Sequence, residues 1–301
     1  MSEPVLGLAL DGTGYGDDGH IWGGELLLAD WCGYERLAHL EYLPLPGGAA
    51  AIKNPCRMAW GMLLHYGLQD HPGAAILRDA MSDTERSVVS SLVARRINTP
   101  LTSSAGRLLD AVSAHLGVCS RASYDGEPAI RLEAAMYASR SSAGQGQGPL
   151  ARISLEPLPL PNELEATPVS NEGGLAVVAA PYRFDVADDV VSARPAIEAV
   201  LDDIAAGVPA GLISKRFHED FARVWVDVVT QAAAASKHTV AALGGGVFMN
   251  RYLLSAIKDG LEAAGLTVLL GKELPSNDGC ISYGQAVVAL ARAQGRNSTC
   301  V

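Results

Sequence analysis

Residues 239–254, TVAALGGGVFMNRYLL, decide the fold more than any other stretch. The apolar run Thr239–Leu243 contains β-branched residues and predicts a buried strand. The glycines at 244–246 interrupt it, and the residues from Val247 onwards predict a helix with Asn250 near its first turn. Such a turn is typical of phosphate sites, because glycine lets the backbone approach an anion that the free helical N–H groups attract. An ordinary tight turn explains three glycines equally well, so both interpretations stay open.

The composition is typical of an α/β protein with helices packed closely on a sheet. Of the 301 residues, 49% are apolar, 6% are aromatic and 32 are glycine. The net charge of -10 argues against sequence-independent binding of nucleic acid, which needs a surface rich in lysine and arginine. Nucleic acid is therefore not an expected partner.

Cysteine usage and the N-terminal sequence predict a cytoplasmic protein. The five cysteines are scattered and contain no CxxC pair, which fits a reducing compartment. The stretch MSEPVLGLALDG has no basic region before its apolar residues, and these are too few to span a bilayer. We therefore expect no association with membranes.

The chain begins with a predicted β-hairpin. Val5–Leu10 predicts a strand, and the polar, glycine-rich residues 11–19 predict a turn. His20–Ala29 predicts the second strand of the hairpin, and Glu35–Leu45 predicts a third strand. Because a core strand starts at residue five, we expect further structure to precede it in a complete domain.

Most of the remaining chain predicts helices. Ser82 with Glu85 forms a capping box for a helix through Ile97, and Ser104 can cap the helix that follows. Further elements are predicted as helices at 105–116, 127–138, 195–206, 209–235 and 279–293, strands at 151–155, 175–180 and 267–270, and a flexible loop at 139–148. The helix at 209–235 carries a predicted core stripe of Phe217, Phe221, Val224 and Val228. Strands and helices alternate after residue 239, which implies parallel pairing in a sheet.

A second candidate phosphate turn, DGTGYG at residues 11–16, follows the first strand directly. Its backbone N–H groups could hold phosphates and Asp11 could hold a metal or a hydroxyl, although aspartate and glycine also occur in ordinary turns. One early and one late glycine turn together resemble the nucleotide sites of the actin, sugar-kinase and Hsp70 superfamily. Those sites are built from loops of two similar α/β lobes.

Four carboxylates are further candidates. Asp278, in Asn277-Asp278-Gly279, either belongs to a helix cap or acts in a cleft as a metal ligand or an acid. Asp110, Glu127 and Glu133 lie on otherwise apolar helices, where solvated surface positions are the simpler expectation. No two histidines have helical metal-binding spacing, and the sequence contains neither a GxSxG elbow nor a Walker loop.

An ordered series of motifs carries a resemblance to a known family. The motifs are DGTGYG at 11–16, DGHIWGGE at 18–25, PGGAAAIKNPCRMA at 46–59, TSSAGRLLDAV at 102–112, GEPAI at 126–130, LGGGVFMNRYLL at 243–254 and PSNDGCISYGQA at 275–286. They follow one another as in the C-terminal domain of the hydrogenase-maturation carbamoyltransferase HypF, and this domain is similar to the enzymes that transfer threonylcarbamoyl to tRNA. The resemblance covers nearly the whole chain.

The resemblance implies an α/β protein of the actin-like ATPase (ribonuclease H-like) fold, with a mixed sheet and flanking helices. It predicts a single domain over residues 1–301, with a largely helical insertion at about 40–170 and an incomplete first lobe. In the family, a YrdC-like domain makes carbamoyl-adenylate from carbamoyl phosphate and ATP. The C-terminal domain then passes the carbamoyl group to the C-terminal cysteine of HypE, on the way to the cyanide ligands of [NiFe]-hydrogenase.

The resemblance also implies a role for individual residues. Asp11 and Asp278 would be catalytic, and Asp278 would also bind the metal. The implied nucleotide or carbamoyl-adenylate contacts are Asp11, Gly12, Thr13 and Gly14 at the phosphate and acyl part, Asp110, Gly126 and Glu127 at the ribose and base, and Gly244, Gly245, Gly246 and Asn250 closing the site. A metal would polarise the carbamoyl carbonyl, and the backbone N–H groups of the glycine loops would stabilise the developing oxyanion. Both effects would assist attack by a thiolate.

The sequence departs from the family pattern in two respects. It lacks an HHHAH segment before Val5–Leu10, and the acylphosphatase-like, zinc-finger and YrdC-like modules. A divalent metal, zinc or iron, is therefore expected only if the missing histidines are supplied from elsewhere. In addition, Gly244, Met249 and Cys280 stand where the family usually has serine, glutamine and glycine.

Three functions stay open at this point. The chain is a separately encoded or truncated part of the carbamoyltransferase, a non-catalytic nucleotide-binding or assembly module of the same fold, or a related O- or N-carbamoyltransferase. A sugar kinase fits least, because its first-lobe phosphate loop is absent. Expected partners are a HypE-type acceptor and a chain with the missing modules. An open sheet edge and exposed apolar surface would also allow a homodimer.

Overall fold

The computed structural model describes residues 4–138 and 180–295. The predicted loop at 139–148, the predicted strand at 151–155 and nearly all of that at 175–180 lie outside the described residues. Within the two described ranges, no helix combines the length and the apolar character needed to cross a bilayer.

Nine strands in the described ranges form one mixed sheet. They are β1 Val5–Tyr15, β2 Ile21–Ala29, β3 Tyr34–Leu40, β4 Leu43–Pro44, β5 Leu101–Thr102, β6 Asp185–Ala187, β7 Val190–Ser192, β8 Val240–Gly244 and β9 Thr267–Leu269. The strand order is β6-β7-β3-β2-β1-β8-β9, and the short β5 pairs with both β2 and β4. β1 is antiparallel to β2 and parallel to β8, and the predicted parallel pairing of β8 with β9 is confirmed.

Ten α-helices lie in the same two ranges. They are α1 Ala49–Lys53, α2 Pro55–Tyr66, α3 Ala75–Ala80, α4 Asp83–Arg95, α5 Ala105–His115, α6 Glu127–Ala138, α7 Arg194–Ala205, α8 Ala210–Ser236, α9 Arg251–Ala263 and α10 Ile281–Ala293. The capping box of Ser82 and Glu85 is confirmed at the start of α4, and Ser104 caps α5 as predicted.

The core lies where α5 and α8 pack against β1. Leu6, Leu8 and Leu10 alternate along β1 and are buried, as a strand with period two requires. The predicted stripe of α8 is confirmed, because Phe217 and Phe221 are fully buried and the two valines that continue it are nearly so. α8 also packs against α6, α7 and α9, so it connects these three helices to the sheet.

The predicted hairpin is confirmed, but the prediction that DGTGYG forms its turn was wrong. β1 continues through this segment to Tyr15, and the turn contains only residues 16–20. A register shift between Leu10 and Gly14 makes the difference, because Gly14 then pairs with Trp22 and the ladder resumes. Asp11 and Gly12 therefore lie in an irregular part of a strand.

The third strand was also predicted too long. β3 ends at Leu40 and a separate strand begins at Leu43, with Glu41 between them. Its carboxylate accepts hydrogen bonds from His65, Tyr66 and Ser192. These donors come from α2 and β7, which sequence periodicity does not reveal.

Candidate functional site

A cleft of about 690 Å³ opens beside the C-terminal half of β1, a volume within the range of small-molecule sites. α5, α6 and the segments before α9 and α10 complete its wall. The predicted site residues that line it are Asp11, Gly12, Asp110, Gly126, Gly246, Asn250 and Asp278. The predicted residues Thr13, Gly14, Glu127, Gly244 and Gly245 do not line this cleft.

Asp11 lies where β1 meets the late glycine turn. Its carboxylate accepts the N–H of Gly12 at 2.6 Å and also the N–H of Gly246. Burial raises the pKa of Asp11, the nearby Asp278 carboxylate adds to that rise, and the two backbone donors and Arg107 oppose it. Both amides expected to face a ligand anion therefore already donate to a carboxylate of the chain itself.

The N-terminus of α5 is fixed against the same part of β1. The Ser104 hydroxyl lies 2.7 Å and 2.8 Å from the carbonyl oxygens of Asp11 and Gly12, and it accepts the N–H of Arg107 at 3.1 Å. A Cβ at Gly106 would lie only 2.8 Å from the Cα of Gly12, so this approach requires glycine. The close packing places the first two turns of α5 in the cleft wall.

The first two turns of α5 contribute a buried ion pair. The sequence analysis identified one partner, Asp110, but not the other, Arg107. Arg107 Nη2 lies 3.1 Å from the Asp110 carboxylate, and both residues are almost fully buried. Burial raises the pKa of Asp110 to about 6, and Arg107 opposes that rise. Two further guanidinium nitrogens and one Asp110 oxygen are buried without a hydrogen-bond partner among the described residues. The isolated arginine in TSSAGRLLDAV is the signal that could have identified Arg107.

The expected solvated positions of Asp110 and Glu127 were wrong, because both side chains are buried. Glu127 accepts the hydroxyl of Ser123 at 2.7 Å and its N–H at 2.5 Å, and it pairs with Arg131 at 2.5 Å. The Ser123 hydroxyl and amide lower the pKa of Glu127. Glu127 therefore orders the start of α6, and its neighbour Gly126 forms the cleft surface.

The late glycine turn is held by backbone contacts. Gly245 has φ 106°, and a Cβ there would lie 2.1 Å from the carbonyl oxygen of Leu10. Its N–H donates to the carbonyl oxygen of Ser276 at 2.7 Å. The central glycine thus joins β1 to the segment before α10, and Gly246 is the glycine of the triplet that lines the cleft.

The helix predicted from Val247 begins only at Arg251, after a 3-10 turn at Gly246–Met249. Asn250 causes the delay because it is the N-cap, and its side-chain oxygen accepts the N–H of Leu253 at 2.9 Å. Glu133 is half-buried and not fully solvated as expected, and it accepts the N–H of Tyr252 at 3.2 Å. Side chains therefore occupy N–H groups of the first turn of α9.

Asp278 begins a short 3-10 turn before α10 and faces the cleft with Asp11. Among the described residues, no group of three or more His, Cys, Asp or Glu side chains is arranged to hold a metal ion. Two carboxylates are fewer than the ligand sets of protein metal sites. The residues present therefore do not form a metal centre by themselves.

Comparison with known proteins gives a consistent result. A model of the family described as the carbamoyltransferase Kae1-like domain, second subdomain, matches residues 7–158 and 161–285. Carbamoyltransferase HypF2 of Cupriavidus necator is 36% identical over 97% of this chain and 34% of its own length. HypF of Rhodobacter capsulatus is 33% identical over 96% and 33%. The chain thus spans about a third of the length of these relatives.

Solved structures agree with the sequence relatives. The crystal structure of full-length HypF in the phosphate- and nucleotide-bound form has a TM-score of 0.79 and 28% identity, over 100% of this chain and 41% of that one. HypF of T. kodakarensis has a TM-score of 0.72 and 29% identity, over 97% and 35%. The predicted mixed α/β, ribonuclease H-like fold is confirmed. The chain belongs to the HypF carbamoyltransferase family and matches the second subdomain of its Kae1-like domain.

Proposed function

We propose that this chain provides the carbamoyl-adenylate site of a carbamoyl transfer in hydrogenase maturation. The observation that carries the proposal is the single cleft in which Asp11 and Asp278 meet the buried Arg107–Asp110 pair. A HypF structure in a phosphate- and nucleotide-bound form, similar over the whole of this chain, supports a nucleotide as the ligand.

In the proposed step, a thiolate from the C-terminal cysteine of a HypE-type protein attacks the carbamoyl carbon. A carbon–sulfur bond forms, the carbon–oxygen bond to the adenylate phosphate breaks, and AMP leaves with the bonding electron pair. Asp110 and Gly126 would hold the ribose and base, because a carboxylate accepts hydroxyl protons and a glycine leaves room for a ring. Asp11, Gly12 and Gly246 would lie at the acyl phosphate, with Arg107 as the nearby positive charge.

A metal would enter this site only with ligands from outside the described residues. In the proposed complete site, Asp278 is one ligand and histidines of the remaining HypF sequence are the others. Such a metal would polarise the carbamoyl carbonyl. The roles of Thr13, Gly14, Glu127, Gly244 and Gly245 stay predictions, since these residues do not line the cleft described above.

The proposed partner for assembly is the remainder of a HypF-type protein, on the same or another chain. α10 exposes more than half of the surface of Ile281, Tyr283 and Leu290, and Ala291 is its one buried residue. An apolar helix with so little burial is typical of a surface that another unit covers. About two thirds of the length of these relatives lies outside the part that this chain matches, and it could supply such a unit.

The proposal is tested by titrating the purified chain with a non-hydrolysable carbamoyl-adenylate analogue in a calorimeter. Asp110→Asn should weaken binding about tenfold, because a charge-assisted hydrogen bond is lost. Asp259→Asn, on the exposed face of α9, is the matched control and should bind like the wild type. Absence of binding by a folded wild-type chain would contradict the proposed site.

The transfer step needs a second assay. The chain is combined with the remaining HypF modules and a HypE-type acceptor, and mass spectrometry follows the addition of one carbamoyl group to the acceptor cysteine. Binding without transfer under any combination would instead support the second candidate, a non-catalytic nucleotide-binding module. The incomplete metal ligand set among the described residues is the observation that favours this candidate.

A further inference from the structure

A buried contact between α8 and α9 connects the helical core to the cleft. His218 on α8 is completely buried, and Asn250 in the cleft wall is 8% exposed. The side-chain amide nitrogen of Asn250 lies 3.0 Å from Nε2 of His218. Neither the motifs nor the cleft lining assigns a role to His218.

Hydrogen-bond chemistry fixes the direction of this contact. The backbone N–H of Leu253 can only donate, so the Asn250 atom 2.9 Å from it must be the side-chain oxygen. The amide NH2 group therefore faces His218 and donates to Nε2. The ring proton must then lie on Nδ1, which donates to the carbonyl oxygen of Ser214 at 2.8 Å. One tautomer and one amide orientation satisfy all of these contacts.

The surroundings of His218 support a neutral ring. Burial lowers the pKa of His218 to about 4, so the imidazole is uncharged near neutral pH and Nε2 can accept a hydrogen bond. The Ser214 hydroxyl donates to the carbonyl oxygen of Leu132 on α6 at 2.6 Å. Since that proton is used elsewhere, the hydroxyl leaves the Nδ1–H to the Ser214 carbonyl.

We propose that His218 is a positioning residue that holds Asn250 in the one orientation that caps α9 and leaves the second amide N–H for a ligand in the cleft. Without an acceptor at Nε2, the buried NH2 group would lose its partner, and only the bond from the Leu253 N–H would hold the amide in place. The ligand part of this inference rests on the proposed nucleotide function. The orientation of Asn250 does not.

The orientation is tested first, by NMR of the ¹⁵N-histidine-labelled full chain without nucleotide at neutral pH. We expect the His218 signals of a neutral ring protonated on Nδ1, assigned by their loss in His218→Gln. A ring protonated on Nε2, or on both nitrogens, would overturn the proposal. The tautomer is read from the wild-type ring, so the test does not depend on a variant that folds. If His218→Gln does not fold, substitution of the other histidines one at a time assigns their signals, and the remaining signals belong to His218.

The consequence for the ligand is tested with the carbamoyl-adenylate analogue. His218→Leu should weaken binding about tenfold, whereas His218→Gln, which retains an acceptor, should stay within about twofold of wild type. In an Asn250→Ala background, His218→Leu should add no further loss, because the residue it positions is gone.

His115→Leu is the matched control. His115 is also completely buried, but it lies on α5 and its ring nitrogens have no hydrogen-bond partner among the described residues. Its replacement should change stability without changing affinity. Equal losses of affinity in the two leucine variants, or a His218→Gln variant as weak as His218→Leu, would overturn the proposal. A wild-type chain that binds no analogue would refute the proposed function, while the tautomer would still decide the orientation.

Discussion

The two walls of the cleft are held in different ways. The wall formed by β1 and α5 is fixed by hydrogen bonds and close backbone contacts, and Arg107 and Asp110 within it are buried. The opposite wall, at residues 277–279, carries Asp278 and continues into α10, whose side chains are mostly exposed. Its attachments include the bond from Gly245 to Ser276 and those from Arg292 to the carbonyl oxygen of Cys32. The first wall is packed within the described chain, whereas the second leads into apolar side chains of α10 that are exposed, where we propose that a further unit binds.

A buried carboxylate stabilises the first wall from behind. Glu25, the last residue of the DGHIWGGE motif, accepts the N–H groups of Gly23 and Gly24 at 2.7 Å each and the hydroxyl of Ser103. Ser103 adjoins the cap residue of α5. Glu25 thus ties β2 to the loop that positions Arg107, so this wall depends on residues well removed from the cleft itself.

The largest expected effect comes from adding one methyl group to the glycine turn that packs against β1. Gly245→Ala would place a Cβ against the Leu10 carbonyl at a residue with positive φ, and should lower the free energy of unfolding by about 4 kcal/mol. Gly244→Ala is the matched control, because nothing lies within 4 Å of its added Cβ. Urea unfolding compares the two variants. Similar small losses in both would mean that the backbone approach is not rigid, and the contrast between the walls would fail.

The second prediction concerns Glu25 and the pH dependence of the free energy of unfolding. Burial raises its pKa to about 7 from an ordinary value of 4.5, although its three donors oppose the rise. The folded state then binds the proton more tightly than the unfolded state, so this contribution to stability is complete below pH 4.5 and is lost as pH rises through 7. Glu25→Gln cannot ionise. From pH 4.5 to 8, the variant should gain about 3 kcal/mol relative to wild type.

The measurement is urea unfolding of both proteins at several pH values within that window. Glu35→Gln is the control, because Glu35 is an exposed carboxylate on β3 and the substitution changes the charge equally. A constant difference between wild type and Glu25→Gln would show that the three donors keep Glu25 ionised throughout.

How far sequence reasoning succeeded depends on the distance between interacting residues. The capping box of α4 and the buried stripe of α8 were predicted because each signal lies within one helix. The bulge in β1 was missed because it depends on contacts with β2 and α5. Glu25 and Ser103 are 78 residues apart, and Asn250 and His218 are 32 apart, so no local pattern connects them. Parts of both glycine motifs line the cleft, and other glycines of these motifs allow close backbone packing instead.

The smallest effect on stability is expected from a substitution on α10, next to the second wall. Tyr283→Ser on α10 should change the free energy of unfolding of the isolated chain by no more than about 0.5 kcal/mol, because 58% of Tyr283 is exposed and the two residues have similar helix propensities. The same variant should weaken association with the remaining HypF modules, or with a second copy of the chain, as measured by light scattering. Ile97→Ser, 53% exposed before β5, should affect neither property. A loss of 2 kcal/mol or more in the isolated Tyr283→Ser chain would mean that α10 is already packed, and both walls would then be complete without a partner.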